Sequence, residues 1–183
     1  ETGFVSILAL KASLNKGFSE ELKEAHPNII PADRPLIQSE IRSPQWIAGF
    51  ISGDGCFHIN LAKSRTVKIG FRVSLQLKIG QSSRDAALMK SLITYLGCGG
   101  WHPEEKRNVG QFVVSKFPDI FEKTGGVPLL QKSQIQGAKA LDFADWCRAA
   151  LIIKEGRHLT ESGIEEIRIL KAGMNNGRSQ ESA

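Results

Sequence analysis

The 183-residue chain is 41% hydrophobic and 23% charged, with a net charge of +5; this is the composition of one compact domain with room for extra segments at its ends. No stretch reaches the roughly 18 apolar residues of a membrane span, and no basic region followed by an apolar one opens the chain, so neither a membrane anchor nor secretion is expected. Cys56, Cys98 and Cys147 and the four histidines are scattered, which argues against a zinc site and fits a reducing compartment.

In chain order, Glu1 to Gly17 aligns without a gap with Glu161 to Gly177 and shares eight identities, including the ending K-A-x-x-N-x-G. Apolar residues at Phe4, Ile7, Leu8 and Leu14, and at Ile164, Ile167, Leu170 and Met174, predict two amphipathic helices stopped by Gly17 and Gly177. A tandem duplication of about 160 residues accounts for the match. On this reading residues 1–17 are the terminal helix of a preceding repeat, and 18–42 are a linker. The linker holds a short helix capped by Ser19, followed by Pro27, Pro31 and Pro35. The complete domain covers 43–178, residues 179–183 form a disordered tail, and the sequence is a fragment of a longer protein.

Within that domain Ser43-Pro44 predicts a helix start, and the helix ends at Gly53-Asp54-Gly55. A strand follows over Cys56 to Ala62. From Val67 to Ile79 apolar and polar residues alternate strictly, the mark of a long strand with one buried face. A helix is predicted over Arg84 to Leu96, ended by Gly97, then short strands over Gly100 to Glu105 and Gln111 to Lys116. Asp119 to Gly125 reads as helical, Ser133 to Glu155 as one long helix, and Thr160 to Asn176 as the last, with Ser162 and Glu165 spaced as a capping box. The fold class is α+β, with a four-stranded antiparallel sheet backed by helices on one face.

Charge is concentrated on the two first strands. From Cys56 to Gly80 there are five cations and no acid. The solvent face is expected to present His58, Asn60, Ser64, Arg65, Lys68, Arg72, Ser74, Gln76 and Lys78, joined by Gln111 and Ser115. Lysine and arginine bind phosphates, while Arg, Gln, Asn and Ser reach base edges in the major groove. The same pattern by itself also describes the solvated face of any amphipathic sheet.

In Ile47 to Gly55, the small residues Ala48 and Ser52, and Gly49 and Gly53, recur four apart and predict a close helix–helix contact. Asp54 at the helix end faces the negative end of the helix dipole, which a divalent cation would offset. Taken alone, Gly-Asp-Gly also suits a tight turn into a strand.

Ile47-Ala48-Gly49-Phe50-Ile51-Ser52-Gly53-Asp54-Gly55 resembles the LAGLIDADG motif of homing endonucleases. Further support comes from Ile79-Gly80-Gln81, Leu92 to Gly99, Asp142 to Cys147 and His158 to Gly163, which resemble single-chain, fungal intron-encoded members. The resemblance implies an αββαββα half-domain whose sheet lies in the DNA major groove, paired through its motif helix with a second half. That half would be an N-terminal one of the same protein or another copy of this chain. It implies Asp54 as catalytic metal ligand with the Gly53 carbonyl beside it, and Gln81 as a peripheral active-site residue. The family's basic residue has no secure counterpart: Ser133 stands where the lysine is aligned, leaving Lys132 and Lys139 as candidates. Mg²⁺, or Ca²⁺ or Mn²⁺ in its place, is the implied cofactor, double-stranded DNA the substrate, and the mitochondrion the compartment. An intron-splicing maturase and a non-catalytic DNA-binding module are the alternatives.

Overall fold

The computed structural model describes residues 2–14, 16–34, 40–41, 43–122 and 127–177. The expected tail at 179–183, and residues 35–39 and 42 of the expected linker, lie outside them. The chain divides into two compact units, Glu1–Gln38 and Ser39–Ala183.

The first unit holds α1 (Thr2–Ser13) and α2 (Glu20–Ala25). Ser19 caps α2 by accepting from Leu22 N at 3.4 Å, and Glu20 and Glu21 favour its positive end. Ala32 N donates to Ala9 O at 2.9 Å, tying the extended segment back to α1. In α1 Leu8 is buried, whereas Phe4, Ile7 and Leu10 are exposed.

The second unit begins with α3 (Pro44–Asp54), which leads without a loop into β1 (Gly55–Lys63). Ser43 accepts from Trp46 N at 3.2 Å, with Pro44 in the first turn, as the sequence predicts. The helix-to-strand junction needs glycine, because a Cβ at Gly55 would lie 2.6 Å from Ile51 atoms. Then follow β2 (Phe71–Ser82), α4 (Ala86–Leu96), β3 (Gly100–Glu104), β4 (Val109–Val114), α5 (Phe117–Phe121), α6 (Val127–Ser133), α7 (Lys139–Lys154) and α8 (Glu161–Ala172). The four strands form one antiparallel sheet in the order β1-β2-β4-β3. Phe57, Ile59, Leu75, Leu77, Ile79, Phe112 and Val114 point from it into a core shared with Ile47, Ile51, Leu92, Trp146 and Ile167. The expected α+β architecture is therefore present.

Several boundaries differ from the sequence reading. The alternating segment begins as a turn: Gly70 N donates to Val67 O at 2.8 Å, and Gly70 takes φ +78°, so the strand starts at Phe71 and runs on to Ser82. The helix expected from Ser133 to Glu155 begins only at Lys139, as α7, and a separate helix that was not expected, α6, ends at Ser133. Between them Gln134 (φ 49°) and Gly137 (φ 66°) adopt left-handed conformations that no α-helix continues through. The cap of α8 is Thr160, whose Oγ1 accepts from Gly163 N at 3.1 Å; it replaces the expected Ser162–Glu165 box, and Glu165 instead pairs with Arg168. The helix stops at Gly173, short of Asn176.

Beyond α8, Asn175 fastens the edge of the sheet. Its Nδ2 donates to Phe57 O at 3.1 Å, and its backbone N donates to the buried Asp142 Oδ1 at 3.1 Å. Trp146 Nε1 adds a bond to His58 O at 3.3 Å. Asn175 also sits at φ 54°, where asparagine is better tolerated than most residues. Asn175→Ala is expected to lose about 1–3 kcal/mol in urea denaturation, through lost side-chain bonds and backbone strain. Asn175→Gly, which relieves only the strain, should recover part of that loss.

Candidate functional site

The register of β1 with β2 puts Cys56 opposite Lys78, His58 opposite Gln76, Asn60 opposite Ser74 and Ala62 opposite Arg72. All eight have the parity opposite to Phe57, Ile59, Leu75 and Leu77, so they share the outer face of the sheet. Gln111, opposite Gly80 on one side and His102 on the other, extends this face. Ser64, Arg65 and Lys68 lie in the β1–β2 turn, with Ser64 Oγ 3.1 Å from Thr66 Oγ1. Ser115 is exposed just past β4. The expected polar face is thus assembled by His58, Asn60, Arg72, Ser74, Gln76, Lys78 and Gln111, with Ser64, Arg65, Lys68 and Ser115 at its ends.

Two residues of this face escaped the sequence reading. His102 joins it through the strand-period parity of Gly100 to Glu104, a signal readable once β3 is placed. Arg107 follows β3 in a 3₁₀ turn and lines a groove of about 420 Å³ with Gln81, Ser82 and Gln111. It pairs with Glu104 at 3.7 Å.

Asp54 is the last residue of α3 and is exposed. Gln81 shares the inward parity of Leu77 and Ile79, which aims it at the helix side of the sheet. There its Nε2 donates to Asp54 Oδ2 at 3.2 Å, while its Oε1 accepts from Ser82 N at 3.0 Å. The lysine brought to this end of α3 is Lys139, whose Nζ donates to Gly53 O at 3.4 Å and also to Gly55 O. Lys132 is exposed on the last turn of α6. A lysine opening a helix opposes that helix's dipole, and the cation instead meets the negative end of α3. The sequence signal for Lys139 was Gly137 just before it, which was read as helix interior.

The four small residues of α3 do not share one surface. Ala48 is 2% exposed within this unit's own core, and Ser52 is half-buried, bonded to Gln136 N. Gly49 and Gly53 are open: a Cβ on either would meet nothing within 4 Å. Trp46 and Phe50 flank them, stacked at 5.1 Å between ring centroids, with Trp46 exposed. The accessible stripe is therefore narrower than expected and carries aromatic edges.

Among the described residues no group of three or more His, Cys, Asp and Glu side chains is gathered for a metal. Asp54 stands beside a carbonyl already engaged by the Lys139 ammonium.

His58 is shifted by its surroundings. Burial first, then the nearby Lys78 and Lys171 ammonium groups, hold its imidazolium pKa below the usual 6.5. Since the depressed value belongs to the folded state, the unfolded chain takes up this proton first, and stability contributed by His58 falls as pH drops below 6.5. An NMR titration of His58 should give a midpoint below 6.5, and Lys78→Gln should raise it. A midpoint unmoved by that substitution would contradict the assignment of the charge effect.

A sequence model of the family described as LAGLIDADG endonuclease matches residues 47–150. The chain is 37% identical over 180 residues to the probable intron-encoded endonuclease 2 of Neurospora crassa, covering 92% of this chain and 38% of that protein. Among solved structures, it matches the I-SmaMI LAGLIDADG homing endonuclease bound to cleaved DNA with a TM-score of 0.91 and 44% identity. That match covers 98% of this chain and 59% of the other. It also matches the LAGLIDADG homing endonuclease I-GzeII in complex with its DNA target, at TM-score 0.87 and 37% identity over 97% and 60% of the two chains. The chain spans less than two thirds of the length of each of these relatives.

Proposed function

The chain belongs to the LAGLIDADG endonuclease family, and from that premise we propose that it is one half of a site-specific, divalent-metal-dependent double-stranded DNA endonuclease. The observation that carries the reading is the convergence at the end of α3. The Asp54 carboxylate is held by Gln81, and the Lys139 ammonium lies on the adjoining carbonyls. Strands β1 and β2, which carry most of the outer face, contain cations and no acid.

Asp54 and the Gly53 carbonyl are the groups that would hold the metal, Mg²⁺ by choice, with Ca²⁺ or Mn²⁺ able to stand in. Held there, such an ion would supply the Lewis acidity that hydrolysis of a phosphodiester needs. A single exposed carboxylate suits such an ion, whose other ligands are phosphate and water oxygens. I-SmaMI has been solved on uncleaved DNA in the presence of calcium ions. Gln81 fixes one carboxylate oxygen of Asp54 and so sets its orientation. Lys139, rather than Lys132, is the basic residue we assign: it offsets the negative end of α3 and supplies positive charge where phosphate charge develops.

On the sheet, Arg65, Lys68, Arg72 and Lys78 neutralise phosphates. His58, Asn60, Ser74, Gln76 and Gln111 offer hydrogen bonds to base edges, and Ser64 and Ser115 extend the row at its ends. Further selectivity comes from the cost of bending the site. The related proteins are intron-encoded in fungi, which makes the mitochondrion the proposed compartment. Among the described residues no helix is long and apolar enough to cross a membrane.

A second motif helix would close on the open stripe of Gly49 and Gly53 and bring a second carboxylate. The helix α1 supports such a partner independently. In the gapless repeat, Phe4, Ile7, Leu10 and Leu14 align with Ile164, Ile167, Leu170 and Met174. The four residues in and just after α8 are at most 5% exposed, whereas their counterparts in and just after α1 are at least 54% exposed. We read α1 as the closing helix of a preceding repeat, with residues 18–42 linking it to the domain at 43–178. Amide exchange across Thr2–Ser13 is accordingly expected to be fast in this chain and protected once a second half is joined to it; equal exchange in both would refute that reading.

The endonuclease proposal is tested by Asp54→Asn in the assembly with a second half. Cleavage should fall by at least about a hundredfold, while DNA binding stays within about threefold of the parent. Unchanged cleavage would remove Asp54 from the chemistry.

A further inference from the structure

Ser52 stands in α3 two residues before Asp54, and its hydroxyl makes two hydrogen bonds. It donates to Ala48 O at 2.7 Å, one turn back in the same helix. It also accepts from Gln136 N at 3.0 Å, joining residues 84 apart in sequence. The first is a common local bond for serine in a helix and contributes little. The second reaches the connection between α6 and α7.

That connection, Gln134 to Ala138, has pivots at both ends, because Gln134 and Gly137 are in left-handed conformations. It has few other anchors. Ile135 is 7% exposed and plugs into the core, and Gln136 Nε2 folds back to Gln134 O at 3.3 Å. Two residues past Gly137 comes Lys139, whose ammonium lies on the Gly53 and Gly55 carbonyls on either side of Asp54. The chain therefore passes from the motif helix, through the Ser52 hydroxyl, to the backbone that carries the lysine, and back to the same helix end.

We infer that Ser52 is a positioning residue: through its bond to Gln136 N it holds the α6–α7 connection so that Lys139 is aimed at the Asp54 end of α3. The inference rests on the endonuclease reading for its consequence, but its geometry stands apart from it. A hydroxyl is the suitable group. It accepts the amide while satisfying its own proton within the helix, and it is short enough to let the connection lie against α3. Without it, water can replace the bond to Gln136 N, so the fold is kept and the lysine loses its fixed approach. Small displacements of a charged group from its working position cost rate far more than binding.

The test uses the full chain assembled with a second LAGLIDADG half, and reads single-turnover cleavage and DNA affinity separately. Ser52→Ala should slow cleavage by about 10- to 100-fold with Kd changed by less than about twofold. Ser52→Thr, which keeps the hydroxyl, should restore most of the rate. In a Lys139→Ala background, Ser52→Ala should cause no further loss, because both substitutions then remove one and the same contribution. A full additional loss in that background, or an unchanged rate for Ser52→Ala alone, overturns the inference. Amide exchange of the chain by itself gives a second reading: Gln136 N–H should exchange faster in Ser52→Ala than in the parent, and equal rates overturn the inference as well. If the parent assembly cuts no DNA with any divalent ion, the endonuclease reading fails while the exchange comparison still judges the role of Ser52.

Discussion

A carboxylate at the C-terminal end of a helix is held against the negative end of the helix dipole, and much of this domain's arrangement follows from keeping Asp54 in that place. The helix cannot simply continue, because Gly55 turns the chain at once into β1 with no room for a side chain against Ile51. Positive charge must be brought in, and Lys139 does this from a separate helix by reaching the carbonyls on either side of Asp54. Gln81 completes the enclosure from the end of β2, on the side of the sheet that elsewhere carries core residues. The acid is thus held by Gln81 and has Lys139 on the carbonyls beside it while remaining exposed.

The same helix divides the molecule's tasks between its faces. Ile47, Ala48 and Ile51 are buried in the core and fix α3 to the sheet. The opposite face, with Gly49 and Gly53 open beside the stacked Trp46 and Phe50 rings, leaves backbone bare enough for a second helix to approach. The strand that α3 feeds into, β1, pairs with β2 to form most of the polar and cationic outer face.

Much of this was readable in the residues. Alternation from Phe71 to Ile79 fixes which side chains share the outer face. Ser43-Pro44 and Gly97 mark helix ends through well-understood backbone chemistry, and the motif points to Asp54. What escaped depended on tertiary contact. The connection between α6 and α7 turns on a left-handed Gln134, a residue whose type does not announce that conformation, so the helix was started too early and nothing favoured Lys139 over Lys132. Ala48 and Ser52 are small residues four apart, as are Gly49 and Gly53, and only core packing tells which pair is covered. The cap of α8 is Thr160 rather than Ser162, since it is the Thr160 hydroxyl that reaches Gly163 N, at a position packed too closely on Arg157 for a side chain. In α1 the apolar spacing was legible, but which surface it serves was not.

The most direct test is a crystal structure of this chain, joined to a second LAGLIDADG half, on a DNA target with Mn²⁺ located by anomalous scattering. The account predicts an Asp54 oxygen about 2.0–2.4 Å from an ion at a scissile phosphate, opposite the acid of the second motif helix. An Asp54 directed away from phosphate, with the ion held by other residues, would contradict it.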